Sequence, residues 1–148
     1  MKILAENRKA KFEWQIFEKY EAGIELLGSE VKSIKNGLIS LRDSFVIIRN
    51  LEAYLLNTYI PPYQPKNILF NYDPYRKRKL LLKKKELKTL VGKTKQRSLT
   101  LIPLMIYTIK GKIKITIGLG KRVKKFEKRE KIREREIERE LEKEMLGH

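Results

Sequence analysis

The stretch Lys112-Ile113-Lys114-Ile115-Thr116-Ile117 alternates strictly between polar residues and isoleucine. Successive side chains of a β-strand point to opposite faces, so the isoleucines share one face and Lys112, Lys114 and Thr116 share the other. Lys110-Gly111, directly before this stretch, is typical of a turn between two strands. We therefore predict a pair of strands here, with one buried face and one basic face.

Further strands are predicted on the N-terminal side of this pair. After a polar arm (residues 1–11), residues 12–28 form an aromatic-rich run that is typical of a strand. Ser44–Ile48 and Ala53–Ile60 are β-rich runs, and the residues between them predict a hairpin. Half a dozen short strands indicate a mainly β protein with flanking helices. We expect a small closed β-barrel of the oligonucleotide-binding (OB) kind, followed by a charged C-terminal tail.

Two helices are predicted beside the strands. One starts at Gly28-Ser29, with Ser29 as its N-cap and Gly37 as its stop. The other covers Lys83–Val91, where leucine and valine recur at helical spacing, and Gly92 is its expected stop.

Charge is the most informative part of the composition. The 148 residues carry a net charge of +17, and the segment from Arg76 to Arg97 contributes +10 of it. Such a density of like charge repels itself, and a polyphosphate backbone offsets that repulsion. We divide the chain into an RNA-binding body (residues 1–120, net +14) and a tail (residues 121–148, net +3) in which the signs alternate.

Several protein classes are disfavoured by what the sequence lacks. There is no cysteine, so disulfides and thiolate metal sites are excluded. The most apolar segment, Leu99–Ile109, is too short to span a bilayer and contains Pro103. The start shows no signal-peptide pattern. We expect a cytoplasmic protein without membrane association, and a monomer.

Catalytic motifs are also missing. The single histidine is the last residue, His148, which removes the commonest general base and the usual metal clusters. Gly92-Lys93-Thr94 and Gly118-Leu119-Gly120 resemble parts of phosphate-binding loops, but each lacks a glycine that the mechanism needs. We therefore expect no enzymatic activity, no cofactor and no metal.

Three leucines, Leu80 to Leu82, lie within the basic segment. Three consecutive side chains of a strand cannot all face inward, so two are expected in the core, with Leu81 pointing outward. An exposed Leu81 beside Arg and Lys would pack on an unstacked base or ribose. The alternative is that Leu81 is an ordinary core residue.

A family resemblance extends from about Asn7 to Arg139. It is carried by residues 20–23 (YEAG), 28–33 (GSEVKS), 43–46 (DSFV), 71–74 (NYDP), 78–82 (RKLLL) and 127–129 (EKR). In this order and spacing, the motifs resemble SmpB, the SsrA-binding protein family of bacterial trans-translation. Departures from the family pattern are Tyr72 in place of histidine and Arg122-Val123 within the basic run that begins the tail.

The resemblance implies a non-catalytic protein that binds the tRNA-like domain of transfer-messenger RNA and delivers it to stalled ribosomes. It places the family's RNA-contacting glutamate on Glu21, its leucine on Leu81 and a strand lysine on Lys114. It also implies elongation factor Tu and alanyl-tRNA synthetase as further partners through the shared RNA. With the basic segments, the expected RNA-binding residues are Asn7, Glu21, Arg76, Arg78, Lys79, Leu81, Lys83, Lys112, Lys114, Lys121 and Lys124.

The resemblance also implies that the tail enters the empty mRNA channel of the ribosome. Its expected contacts in the decoding region are Glu127, Lys128, Arg129 and Ile132. Many i, i+4 pairs of the tail are like-charged, so we expect a disordered tail or a frayed helix in the free protein. The alternative function is a structural RNA-binding or ribosomal protein, whose extension would be basic throughout. A binder of anionic membranes is disfavoured, since no basic helix has a wide apolar face.

Overall fold

The computed structural model describes residues 1–63, 71–123 and 132–141. Strands form most of the regular structure in these ranges, which confirms a mainly β architecture with helices. The elements, in chain order, are β1 (Lys2–Glu6), α1 (Ala10–Glu13), β2 (Trp14–Ile24), α2 (Gly28–Lys35), β3 (Phe45–Arg49), β4 (Glu52–Leu56), β5 (Arg78–Leu81), α3 (Lys84–Gln96), β6 (Thr100–Ile109), β7 (Lys112–Arg122) and α4 (residues 132–141).

Antiparallel pairing joins the strands into a ring. Hydrogen-bonded neighbours follow the order β6, β3, β4, β5, β2, β7, and β7 pairs again with β6. β1 lies outside this circuit and pairs with β6. The longest ladders join β7 to β2 and to β6, whereas β3 meets β6 at a single residue pair, Val46 with Leu101.

Alternation along β7 sets the inner and outer faces of the ring. Ile115 and Ile117 are fully buried, whereas Lys112 on the other face is exposed. Isoleucine burial is worth about 1.5–3 kcal/mol per side chain, so this strand is held in one register. The core of the ring is formed by Ala22, Ile34, Leu41, Val46, Ala53, Leu55, Ile60, Leu80, Leu87, Leu90, Leu101, Ile106, Ile115, Ile117 and Leu119.

Both predicted hairpins are present, and each has a two-residue turn. Lys110 and Gly111 have φ of 50° and 78° between β6 and β7, and Asn50 and Leu51 have φ of 52° and 57° between β3 and β4. Positive φ at both positions is the geometry that matches the twist of the flanking strands. Positive φ brings the leucine Cβ close to the backbone carbonyl oxygen, so the backbone of Leu51 is strained in this turn.

The two predicted helices form, but their ends differ from the prediction. α2 starts at Gly28, so Ser29 is not its N-cap, and the Glu30 side chain accepts a hydrogen bond from the Leu27 N–H at 2.8 Å. α3 continues through Gly92 to Gln96. A glycine inside a helix costs about 1 kcal/mol relative to alanine. Two tertiary contacts of α3 offset that cost: Leu90 is buried in the core, and Lys93 forms an ion pair with Glu18.

The polar arm expected over residues 1–11 contains strand β1 and the start of helix α1 instead. β1 pairs with β6 along its length, and Leu4 and Ala5 pack against the core. An edge strand takes its backbone hydrogen bonds from its neighbour, and the polarity of its own sequence does not reveal that partner. In the described part of the chain, no helix combines the length and apolar character needed to cross a membrane.

Candidate nucleic-acid interface

Gly23 of β2 is the centre of the candidate RNA-binding surface. In the antiparallel registers, Gly23 lies opposite Leu81 of β5 on one side and opposite Lys114 of β7 on the other. Paired residues point to the same face of a sheet, so Leu81, Lys114 and Glu21, two residues before Gly23, share the outer face. The three residues singled out by the family resemblance are therefore neighbours, although 93 residues separate the first from the last.

Leu81 lies over Gly23 and faces outward. Its side chain is 50% exposed, whereas the preceding Leu80 is 2% exposed and in the core. A Cβ added to Gly23 would lie 3.3 Å from the Leu81 Cβ, which shows how closely the leucine covers the glycine. Leu82 is partly buried and packs against the core. The prediction that two leucines face inward and Leu81 outward is confirmed.

Glu21 is exposed, and its carboxylate accepts a hydrogen bond from Tyr107. The Tyr107 hydroxyl donates a hydrogen bond to Glu21 Oε2 at 2.5 Å, and Thr116 Oγ1 donates to the Tyr107 hydroxyl at 3.1 Å. Burial, and after it the bond to Glu21, raises the pKa of Tyr107. Neither Tyr107 nor its role was found from the sequence, because it belongs to an apolar run that resembles an ordinary core strand.

Several lysines on these strands and beside them supply positive charge. Lys112 is exposed and Lys114 half-buried on β7, Lys121 is exposed near the end of the same strand, and Lys83 is exposed just before α3. Lys79 is half-buried and lies 3.5 Å from Glu52. Flexible ammonium groups beside an exposed leucine can contact phosphates while the leucine packs on a base or ribose.

Asn7 lies at the end of β1 and is engaged within the fold. Its Nδ2 donates to the Pro103 carbonyl at 2.9 Å, and its N–H donates to the Leu104 carbonyl at 2.8 Å. Asn7 therefore attaches the start of the chain to β6, and its Oδ1 is the atom left for an RNA donor.

Arg78 does not belong to the outer face, and its prediction as an RNA contact is wrong. Its side chain is fully buried, and its guanidinium donates to Glu30 Oε2 at 2.5 Å and to the Thr58 carbonyl at 2.8 Å. Alternation along β5 explains the difference, because Arg78 and Leu80 share the inner face and Lys79 and Leu81 the outer one.

Arg76 and Tyr72 complete the buried cluster around Glu30. Arg76 donates to both carboxylate oxygens, and the Tyr72 hydroxyl lies 3.1 Å from Oε2. Arg76 is about one-third exposed, so its guanidinium can still reach an anion. Burial raises the pKa of Glu30, but the hydrogen bonds from Arg76, the Leu27 N–H and Arg78 outweigh it, and the pKa lies below its ordinary value.

The tail is described only in part. Lys124, Glu127, Lys128 and Arg129 lie outside the described residues. Ile132 is half-buried in α4, whose Arg135 guanidinium lies 5.2 Å from the centre of the Phe12 ring. β7 continues to Arg122, two residues past the body boundary expected from the sequence.

Comparison with known proteins gives concordant matches. The family model described as "SmpB protein" matches residues 4–147. An SsrA-binding protein of Sulfurihydrogenibium is 54% identical over 129 residues, which cover 87% of this chain and 84% of the relative. That of Synechococcus elongatus is 48% identical over 130 residues, 88% of this chain and 84% of the relative. A solved chain described by "tmRNA-SmpB: a journey to the center of the bacterial ribosome" is 44% identical, with a TM-score of 0.68, over 87% of this chain and 94% of that one.

Proposed function

This chain belongs to the SmpB family, and from that membership we propose that it binds the tRNA-like domain of transfer-messenger RNA and delivers it to stalled ribosomes for trans-translation. The names of its relatives and of its structural neighbour support this function. The observation that carries it is the grouping of Glu21, Leu81 and Lys114 around Gly23 on one outer face.

Each residue of the group supplies a different interaction with RNA. Lys114 offers a cation for a phosphate, Leu81 an apolar surface for a base or ribose, and Glu21 an acceptor for a donor group. The further residues proposed to bind the RNA backbone are Arg76, Lys79, Lys83, Lys112, Lys121 and Lys124, with Asn7 as a polar contact.

The ring of strands is proposed to be the OB-like barrel that the sequence analysis expects. The supporting observation is that six antiparallel strands follow one another in a closed circuit. A closed circuit removes unpaired edges, and OB folds bind oligonucleotides on such a surface. The family-derived contact residues lie on its outer face.

The tail is proposed to act in the ribosome after the body has bound the RNA. The charge distribution supports this division, since the body carries +14 and the tail only +3. Glu127, Lys128, Arg129 and Ile132 are the proposed decoding-region contacts.

Three single substitutions test the RNA-binding face. Leu81→Ala and Glu21→Ala are expected to weaken binding of a tRNA-like RNA about tenfold. Leu81 is half exposed, so its replacement should leave thermal stability nearly unchanged. Glu21→Ala removes the acceptor of the buried Tyr107 hydroxyl and is expected to cost about 1–3 kcal/mol of stability, which thermal denaturation measures separately. Lys114→Ala is expected to weaken binding and to flatten the dependence of log K on log salt by about one. Fluorescence anisotropy across a salt series measures both effects.

Matched controls lie on helix α2 and just after it. Leu38 is 43% exposed, and Lys35 is an exposed lysine of α2. Leu38→Ala and Lys35→Ala are expected to retain wild-type affinity. Equal losses in the controls and in the site variants would contradict the assignment of this face.

A further inference from the structure

Tyr107 reaches across a whole strand to the candidate RNA contact. It belongs to β6 and lies opposite Lys114 of β7, whereas Glu21 belongs to β2 and lies opposite Thr116 of β7. Neighbouring strands are about 4.8 Å apart, so the aromatic side chain of Tyr107 spans the width of β7. The result is a chain of hydrogen bonds in which Thr116 donates to Tyr107 and Tyr107 donates to Glu21.

The tyrosine cannot itself be an RNA contact. Its side chain is 3% exposed, and its hydroxyl is already engaged as a donor to Glu21 and as an acceptor from Thr116. Burial and the bond to Glu21 raise its pKa, so the hydroxyl keeps its proton at neutral pH. Whatever Tyr107 contributes to recognition must therefore pass through Glu21.

Glu21 gains a fixed orientation from this contact. An exposed glutamate loses rotamer entropy when a ligand immobilises it. A bond from a buried tyrosine restricts the carboxylate in advance and lowers that cost on binding. Hydrogen bonds in series polarise one another, so the bond from Thr116 strengthens the bond from Tyr107 to Glu21. Oε2 of Glu21 accepts the hydrogen bond from the Tyr107 hydroxyl. Oε1 of Glu21 accepts no hydrogen bond from the described part of the chain.

The chemistry of that second oxygen limits what it can bind. An ionised carboxylate only accepts hydrogen bonds, and it repels phosphate. Its partner in a nucleic acid must be a donor, which leaves a base N–H group or a ribose 2′-hydroxyl. Lys114, on the same face, is suited to the phosphate instead.

We propose that Tyr107, supported by Thr116, is a positioning residue that orients Glu21 to accept a hydrogen bond from a donor group of the bound RNA, either a base N–H or a 2′-hydroxyl. The inference rests on the proposed RNA-binding function and adds the class of group that this contact reads. It also separates the face into a donor-reading carboxylate and phosphate-contacting lysines.

The first test is a double-mutant cycle on the full chain, with a transcript of the tRNA-like domain of transfer-messenger RNA as the probe. Tyr107→Phe is expected to weaken binding about threefold to tenfold, the range for one hydrogen bond. Glu21→Ala is expected to weaken it at least as much, and the double variant no further, because Tyr107 acts only through Glu21. The salt dependence is expected to match the wild type in all three.

Tyr20→Phe is the matched control. Tyr20 also donates to a glutamate, Glu18, at 2.7 Å, and it belongs to the same strand as Glu21. This variant is expected to bind the RNA like the wild type. Thr116→Val provides a second, milder variant, since it removes only the donor to Tyr107, and it is expected to weaken binding about twofold to threefold.

The second test separates the two kinds of donor. Probes with single 2′-deoxy substitutions form one arm, and probes with inosine in place of guanosine, which removes the exocyclic amino group, form the other. The substitution that deletes the recognised donor should weaken binding by the wild type, less by Tyr107→Phe, and not at all by Glu21→Ala. A loss of affinity that follows this pattern in either arm supports the proposal and identifies the donor.

Several results would overturn the inference. Wild-type binding by both Tyr107→Phe and Thr116→Val would do so, as would losses that add to that of Glu21→Ala or that change the salt slope. If Tyr107→Phe does not fold, the Thr116→Val result decides. If the wild type itself does not bind the RNA, the proposed function fails and the inference fails with it. Binding that the variants leave unchanged rejects the inference alone.

Discussion

At the scale of single residues, Glu30 stabilises the fold from the centre of a buried polar cluster. Its fully buried carboxylate is bound by Arg76, Arg78, Tyr72 and the Leu27 N–H. Removing one partner of a buried ion pair leaves an uncompensated charge, here that of Arg78, and costs about 3–5 kcal/mol. Glu30→Gln is therefore expected to lower the free energy of unfolding by that amount in urea titrations. Glu25→Gln, at an exposed glutamate, should change it by no more than about 0.5 kcal/mol.

The same residue predicts how stability depends on pH. The pKa of Glu30 lies below its ordinary value in the folded chain, so the unfolded chain binds the proton more readily. Its contribution is therefore complete above the unfolded pKa of about 4.3 and is lost as the pH falls through the lowered folded pKa. Wild type is expected to lose more stability than Glu30→Gln between pH 5 and 2. Parallel acid-unfolding curves for the two proteins would contradict this assignment.

At the scale of elements, the turn between β3 and β4 is strained. Asn50 tolerates positive φ, but Leu51 at φ 57° has a Cβ, and this conformation costs a non-glycine residue about 1–2 kcal/mol. Leu51→Gly relieves that cost and adds the larger unfolded-state entropy of glycine, so a net gain of about 0.5–1 kcal/mol is expected. Thermal denaturation measures it. Leu38→Gly, at a leucine without positive φ, should give no gain, and destabilisation by Leu51→Gly would refute the strain.

At the scale of the whole molecule, the separation of charge predicts a separation of function. Replacing Glu127, Lys128 and Arg129 together with alanine removes the proposed decoding-region contacts and leaves the outer face of the ring unchanged. We expect nearly unchanged affinity for the tRNA-like RNA but loss of peptide tagging on a ribosome without an A-site codon. Normal tagging by this variant at equal RNA occupancy would reject the role of the tail.

The parts of the fold that sequence predicted are those with a local signal. Alternation over residues 112–117 predicted strand β7 and its buried isoleucines, and Lys110-Gly111 predicted the hairpin. The three consecutive leucines predicted that Leu81 is exposed, because a strand cannot turn three neighbours inward. The site residues Glu21, Leu81 and Lys114 came from the family resemblance rather than from such a pattern, and their roles in RNA binding stay predictions.

Tertiary structure decided what depends on partners distant in the chain. Arg78 resembled a surface cation, yet Glu30, 48 residues away, draws it into the core. Gly92 resembled a helix stop, yet α3 continues to Gln96, and Lys93 in its last turn pairs with Glu18 of β2, 75 residues away. The bond between Tyr107 and Glu21 joins residues 86 apart and exists only because β6 and β2 both pair with β7 in one register. Local periodicity encodes which face a side chain takes, whereas closure of the ring selects which side chains meet on that face.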